Sequence, residues 1–138
     1  MTVCVRWVNK EDAEHIWPLV EPFLESALKR WLPVYFSKDL LDGVKKNVMQ
    51  LWIITDDEKE ILYGAGLTEI REYPRAKLLN LFLLGAKNMD KWRDQLSAAV
   101  EMFAKAEKCE FLQIIGRSGW NKYPDAFQSA VIVNKVLS

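Results

Sequence analysis

Few side chains in this 138-residue chain combine reactive chemistry with a place to exercise it. Arg117 follows a predicted strand and Gly116, a position where open α/β sheets place ligands. Its planar guanidinium could grip an acidic ligand bidentately, or hold Asp125 or a partner carboxylate. Gly85-Ala86-Lys87 separates a strand-like apolar run from a helical pattern and reads as a tight strand-to-helix turn. Trp120 reads as a core or rim aromatic. His15 is the only histidine, so a Ser-His-Asp triad or a His-based zinc site would depend on it. It lies between Glu14 and Ile16 on a predicted surface helix, where a solvated side chain is the simpler reading. Cys4 and Cys109 are far apart with no C-x-x-C, and they read as buried, reduced thiols of a cytosolic-type protein. No metal site is expected.

Composition narrows the field further. The chain carries 19 basic and 19 acidic residues, and zero net charge gives no broad footprint for nucleic acid. Lys87, Lys91, Arg93, Arg117 and Lys122 could still cluster locally. No apolar stretch reaches the roughly 18 residues of a membrane span, and the first residues lack the apolar run of a signal peptide. Half of the residues are apolar, with six Trp, six Phe and four Tyr, which suits one folded domain over 1–138.

The elements that must position these groups follow from periodicity. Val3–Val8 reads as a strand. Asn9 is placed to cap a helix, with Asp12 in the capping-box position. Ile16, Trp17, Val20, Phe23, Leu24, Ala27 and Leu28 make one helical face. Pro18 and Pro22 interrupt it and predict a kink, or two short helices, near Trp17. Ser37 then caps a second helix, with Leu40, Leu41, Val44 and Val48 facing inward. Met49–Thr55, Glu60–Ile70 and Arg75–Leu84 read as three strands. Gly64 and Gly66 suggest a bulge or close backbone packing. Leu78–Leu84 is apolar with almost no alternation, so both of its faces should be covered. Met89, Trp92, Leu96, Val100 and Phe103 stripe a third helix. Glu110–Ile115 reads as a strand, Trp120–Phe127 as a short helix or turn, and Ser129–Leu137 as a last strand. The order β-α-α-β-β-β-α-β-α-β predicts an α/β (α+β) domain with a mixed, mostly antiparallel sheet and helices on both faces.

That order resembles the GNAT (GCN5-related N-acetyltransferase) fold over nearly the whole chain. Leu78–Trp92 looks like the family's fourth strand, acyl-CoA turn and third helix. Ile114-Ile115-Gly116-Arg117-Ser118-Gly119-Trp120, with Tyr123 and Phe127, looks like the fifth strand and fourth helix. The same run also resembles small GNAT-like proteins encoded in bacteriophage genomes. The resemblance implies an acyl-CoA cofactor, acetyl-CoA in the simplest case, held around Leu83, Leu84, Gly85, Ala86, Lys87 and Asn88. Backbone N–H groups from Leu84 through Asn88 would meet the pyrophosphate, as unpaired donors at helix N-termini do, and Lys87 would add a charge. The family's usual Q/R-x-x-G-x-G/A pattern is reduced here to one glycine. The resemblance further implies a carboxylate base, for which Glu69 and Glu72 at the end of the third strand are the candidates, and a tyrosine acid, Tyr123.

Two functions follow as expectations. The first is acyl-CoA-dependent N-acyltransfer to an amine on a small molecule or protein. The second is a catalytically inactive GNAT-like structural or interaction protein, such as a phage virion or assembly component. Its partner surface would be drawn from Trp7, Trp31, Tyr35 and Phe36, since aromatics dominate binding hot spots. The expected location is the cytoplasm, which for a phage-encoded protein means host cytoplasm or virion. No membrane contact is expected, and nucleic acid is disfavoured.

Overall fold

This computed structural model describes residues 3–31, 33–116, 120, 126–129 and 132–137. The elements are β1 (Val3–Val8), α1 (Lys10–Leu28), α2 (Ser37–Lys45), β2 (Gln50–Asp56), β3 (Ile61–Glu72), β4 (Lys77–Ala86), α3 (Met89–Ala106) and β5 (Phe111–Ile114). They form a five-stranded sheet in the order β1-β2-β3-β4-β5. The first four strands are antiparallel neighbours, and β5 runs parallel to β4. A parallel return needs a crossover, which α3 supplies.

Two cores lie against the sheet. On one face α1 and α2 bring Trp17, Val20, Leu24, Leu40 and Val44 onto Leu51, Ala65, Leu67 and Leu83. On the other, Trp92, Leu96 and Val100 of α3 cover Trp52, Ile54 and Leu81. Leu79 through Leu83 are all buried, because β4 is sandwiched between the two helical layers as its unalternating sequence requires. On the α3 face, Trp52 Nε1 donates to Thr68 Oγ1 at 3.0 Å, and that hydroxyl donates to Gln50 Oε1 at 2.8 Å.

Several local expectations are corrected. α1 is one 19-residue helix despite Pro18 and Pro22. The prolines are four residues apart and both are exposed, so the carbonyls they leave without a donor, on Glu14 and Pro18, face water. Asn9 precedes α1 but makes no side-chain cap. Ser37 does not cap α2; it fastens α2 to α1. It accepts from Trp17 Nε1 at 2.9 Å and donates to the Glu21 carboxylate. The cap contact comes instead from Asp39, whose carboxylate accepts from the Phe36 N–H at 2.7 Å. Val48 is exposed, because the chain leaves the helix through Asn47 in the left-handed region. Of the expected final strand, Ser129 and residues 132–137 carry no regular structure, and residues 130 and 131 lie outside the described residues.

The glycine-flanked bulge is present. Ile54 pairs with Gly64 and Thr55 with Leu62, leaving Tyr63 as the extra residue of β3. A second bulge is in β4. Leu67 pairs with Leu83 and Thr68 with Leu81, so Phe82 is extra. Among the described residues no helix is long and apolar enough to cross a membrane, and no group of His, Cys, Asp and Glu is placed to hold a metal. Cys4 and Cys109 are free thiols, half-buried where full burial was expected.

Candidate functional site

The site begins where β4 outruns its neighbour. β5 pairs with Leu78 through Leu81 of β4, and the Ile115 N–H closes the ladder on the Leu81 carbonyl at 3.0 Å. β4 then continues for five residues, Phe82 to Ala86, which among the described residues have strand partners only in β3. The Phe82 bulge lies at the point of divergence, and bulges bend a strand and sharpen its twist.

The register determines which backbone groups face this opening. The Lys87 N–H donates to the Tyr63 carbonyl at 3.0 Å. That bond makes Gly64–Ala86 a non-hydrogen-bonded pair, Ala65–Gly85 a hydrogen-bonded pair and Gly66–Leu84 non-hydrogen-bonded again. The N–H and C=O of Leu84 and Ala86 therefore point away from β3, toward the side on which β5 lies. Gly85 points both of its groups, and Lys87 its N–H, into the ladder.

This corrects the expected cradle. The turn does not begin at Gly85, because β4 extends through Ala86. Two of the expected donors, at Gly85 and Lys87, are turned toward β3. Gly85 has a packing reason to be glycine: a Cβ there would lie 1.9 Å from the Phe23 carbonyl oxygen of α1. The helix backbone crosses the strand in direct contact. Beside that crossing is a groove of about 290 Å³ lined by Pro22, Phe23, Ser26, Gly85, Ala86 and Lys87. Lys87 and Asn88 are exposed, and Asn88 enters α3 with φ of 58° and without a side-chain cap. Trp92 Nε1 donates back to the Lys87 carbonyl, which holds the end of β4 to the first turns of α3.

The two candidate carboxylates separate. Glu69 pairs with Asn80 across β3–β4, one register position from Leu81, where β5 diverges. Its side chain is 20% exposed, and Arg71 grips Oε1 with Nε at 2.8 Å and a terminal nitrogen at 2.7 Å. The same carboxylate holds the Arg71 guanidinium above its usual range, with Tyr73 adding to the effect. Glu72 pairs with Lys77 near the hairpin end and is exposed. Three residues of strand, roughly 10 Å, separate it from Glu69.

Asn80 was not among the candidates, yet it is the polar group most enclosed by the site. It is fully buried, and neither Nδ2 nor Oδ1 has a partner among the described residues. A buried amide left unpaired is costly, and such groups usually mark a bound water or ligand. The available signal was one polar residue inside the Leu78–Leu84 run.

The aromatic segment between α1 and α2 divides. Trp31 and Tyr35 are half-buried, with ring centroids 6.5 and 6.2 Å from that of Phe82. Phe36 is exposed. Trp31 and Tyr35 therefore wall the sheet beside the bulge, and only Phe36 is presented outward. Trp7 is partly exposed and meets Phe103 edge-on at 5.0 Å. Trp120 is half-buried against the α3-side core, beside Gly116. Arg117 and Tyr123 lie outside the described residues.

No family model matches the chain, and no curated protein matches it. Solved structures do. An aminoglycoside acetyltransferase, meta-AAC0020, from an uncultured soil metagenomic sample aligns with a TM-score of 0.71 at 12% identity, covering 99% of this chain and 97% of that one. It was solved with trehalose and also with sisomicin. A ribosomal-protein-alanine N-acetyltransferase from Brucella melitensis biovar Abortus aligns at 0.66 and 12% identity, covering 99% of both chains. A GNAT family acetyltransferase from Staphylococcus aureus aligns at 0.64 and 16% identity, covering 99% of this chain and all of the other. With the sheet order, the β4 bulge and the β4–β5 divergence, this likeness shows that the chain has the fold of the GNAT acetyltransferases.

Proposed function

We propose that the protein is an acyl-CoA-dependent N-acyltransferase acting on an amine. The observation that carries this reading is the opening between β4 and β5 beyond Leu81, with the Leu84 and Ala86 main-chain groups turned into it. The pantetheine arm of an acyl-CoA is an extended chain with two amides, so it can pair with a strand edge as a peptide does. Leu84 and Ala86 would hold it by those groups. Lys87, exposed at the end of β4, supplies a cation for the phosphates.

A bound acyl-CoA supplies an activated thioester carbonyl, and the protein's own groups supply position and proton handling. Glu69 is near the divergence point and is the better placed of the two carboxylates to take the proton of an incoming ammonium. The Arg71 grip on Oε1 orients it. Asn80, beside Glu69 in the register, offers an unpaired amide to a water or to a substrate group. Tyr123 remains the proposed acid for the departing thiolate. Trp31 and Tyr35 would wall the acceptor side. The aminoglycoside acetyltransferase among the similar folds supports an amine-bearing acceptor.

A second reading, a GNAT-like protein that does not turn over, is favoured by one observation: two of the expected phosphate donors are turned into the β3 ladder. Calorimetry with acetyl-CoA and a CoA-thiol release assay over a panel of amines separate the two. Binding with amine-dependent thiol release is expected. Binding without release from any amine selects the second reading. The absence of binding at millimolar acetyl-CoA rejects the acyltransferase and leaves the second reading.

A further inference from the structure

On the face of the sheet that α1 and α2 cover, a charge pair lies beyond an aromatic wall. Leu67 and Leu83 pack on that face, while Thr68 and Leu81 turn to the α3 side. Alternation along β3 then returns Glu69, and two residues on Arg71, to the α1 face. Phe82, with the Trp31 and Tyr35 rings beside it, is on the same face. It stands two residues of β4 from Asn80, the cross-strand neighbour of Glu69. Along this face the order is therefore aromatic rings, carboxylate, guanidinium. The clamp between the two charges uses only part of each. Arg71 Nε and a terminal nitrogen both close on Glu69 Oε1, at 2.8 and 2.7 Å, so Oε2 stays outside it. A guanidinium has five N–H donors; Glu69 takes two and Tyr73 a further bond, and the rest of the fork is also outside the clamp. With side-chain exposures of 20% for Glu69 and 44% for Arg71, both groups are reached from solvent.

Building on the acyltransferase reading of the β4–β5 opening, we propose that the amine acceptor is a zwitterion, an α-amino acid with an apolar side chain. Its ammonium meets Glu69 Oε2, its carboxylate meets the outer N–H groups of Arg71, and its side chain lies toward Trp31 and Tyr35. Opposite charges then alternate around a ring of four groups. The ammonium and carboxylate of an α-amino acid hang from one carbon, a spacing that suits two protein charges already in hydrogen-bond contact. A guanidinium also matches a carboxylate by its planar fork, which adds geometric selectivity. A simple amine answers the carboxylate and leaves the guanidinium unanswered. A polycation brings like charge against Arg71, which costs affinity.

Calorimetry on the full chain, with and without CoA, tests this with four probes: phenylalanine, phenethylamine, phenylpropionate and spermidine. Phenylalanine should bind about tenfold more tightly than phenethylamine or phenylpropionate, because each of these lacks one charge-assisted hydrogen bond. Arg71→Gln should erase the advantage over phenethylamine, and Glu69→Gln the advantage over phenylpropionate. Arg71→Lys, which keeps the charge and loses the fork, should fall between Arg71→Gln and the parent. Circular dichroism should be unchanged in all three variants. Phenethylamine or spermidine binding as tightly as phenylalanine overturns the proposal, as does a preference that survives Arg71→Gln, or the absence of phenylalanine binding. Release of CoA thiol from acetyl-CoA separates this outcome from that of the wider reading. Phenylalanine bound at the pair without thiol release rejects the acyltransferase and keeps the zwitterion site. Release driven by phenethylamine or spermidine in preference to phenylalanine keeps the acyltransferase and rejects the zwitterion.

Discussion

Gly85→Ala tests how α1 is seated on the sheet, and the expected sign opposes the usual one. A strand glycine replaced by alanine normally gains about 0.5–1 kcal/mol, because the unfolded chain loses freedom. At Gly85 the new Cβ would lie 1.9 Å from the Phe23 carbonyl oxygen and 2.6 Å from its carbonyl carbon. Both atoms are backbone inside a helix and cannot rotate away. Relief to ordinary contact requires α1 and β4 to part by more than an ångström, which loosens the buried Leu24 and Val20 beside the crossing. Overpacking of this kind costs about 1–3 kcal/mol, and a rigid neighbour puts the cost at the upper end. The entropy gain offsets part of it, so a net loss of about 2 kcal/mol is expected. Unfolding entropy of about 2.1 cal/mol/K per residue over 138 residues turns that into a fall in Tm of about 7 °C. Urea denaturation followed by circular dichroism measures the loss, and a thermal melt checks it. Gly43→Ala is the control. Its Cβ would meet the Met49 sulfur at 2.7 Å, but that atom is the flexible end of a side chain. The helix gain of up to 1 kcal/mol should roughly cancel the cost there. A Gly85→Ala protein as stable as the parent, or more so, refutes the direct crossing of α1 over β4.

Three further outcomes follow. Asn80→Leu should raise the urea midpoint, by about 1–3 kcal/mol in stability, because it removes a buried amide with no partner; a loss of stability would mean that the amide is satisfied in solution. Ser37→Ala should cost about 1–2 kcal/mol by leaving the buried Trp17 N–H without its acceptor; a change near zero in denaturation would remove Ser37 from the α1–α2 clasp. Asp57, gripped by Arg6 and further held by Cys4 and Thr55, has its carboxyl lowered from 3.8 to about 2. Its contribution to stability is therefore complete above pH 4 and lost as pH falls through 2. Carboxyl NMR titration should show the low midpoint in the parent and a return toward 3.8 in Arg6→Gln; an unchanged midpoint in the variant would refute the pairing.

The layout of this fold was readable where local pattern decides it. β1 has its expected boundaries, and β2, β3 and β4 are displaced by one or two residues. The unalternating Leu78–Leu84 run announced a strand buried on both faces. What sequence could not supply was contact between distant segments. Gly85 looks like a turn glycine until Phe23 is found against it. Lys87 looks like a free donor until the register hands its N–H to Tyr63. Pro18 and Pro22 argue for a broken helix unless both are known to face water. Ser37 has the type of a capping residue, but a tertiary partner, Trp17, takes its hydroxyl. Of the proposed site, Glu69 was legible as one of two carboxylates, while its advantage over Glu72 is a matter of register against β5. Asn80 was visible as an oddity in an apolar strand, and only its lack of partners gives it meaning.

The central claim is that the opening between β4 and β5 receives an acyl-CoA along the β4 edge. Amide NMR of the labelled protein titrated with acetyl-CoA tests it most directly. The Leu84 and Ala86 amides, turned into the opening, should show the largest shifts, while those of Val3–Val8 at the far edge of the sheet stay in place. A titration that leaves Leu84 and Ala86 unmoved, or moves β1 instead, would contradict the account.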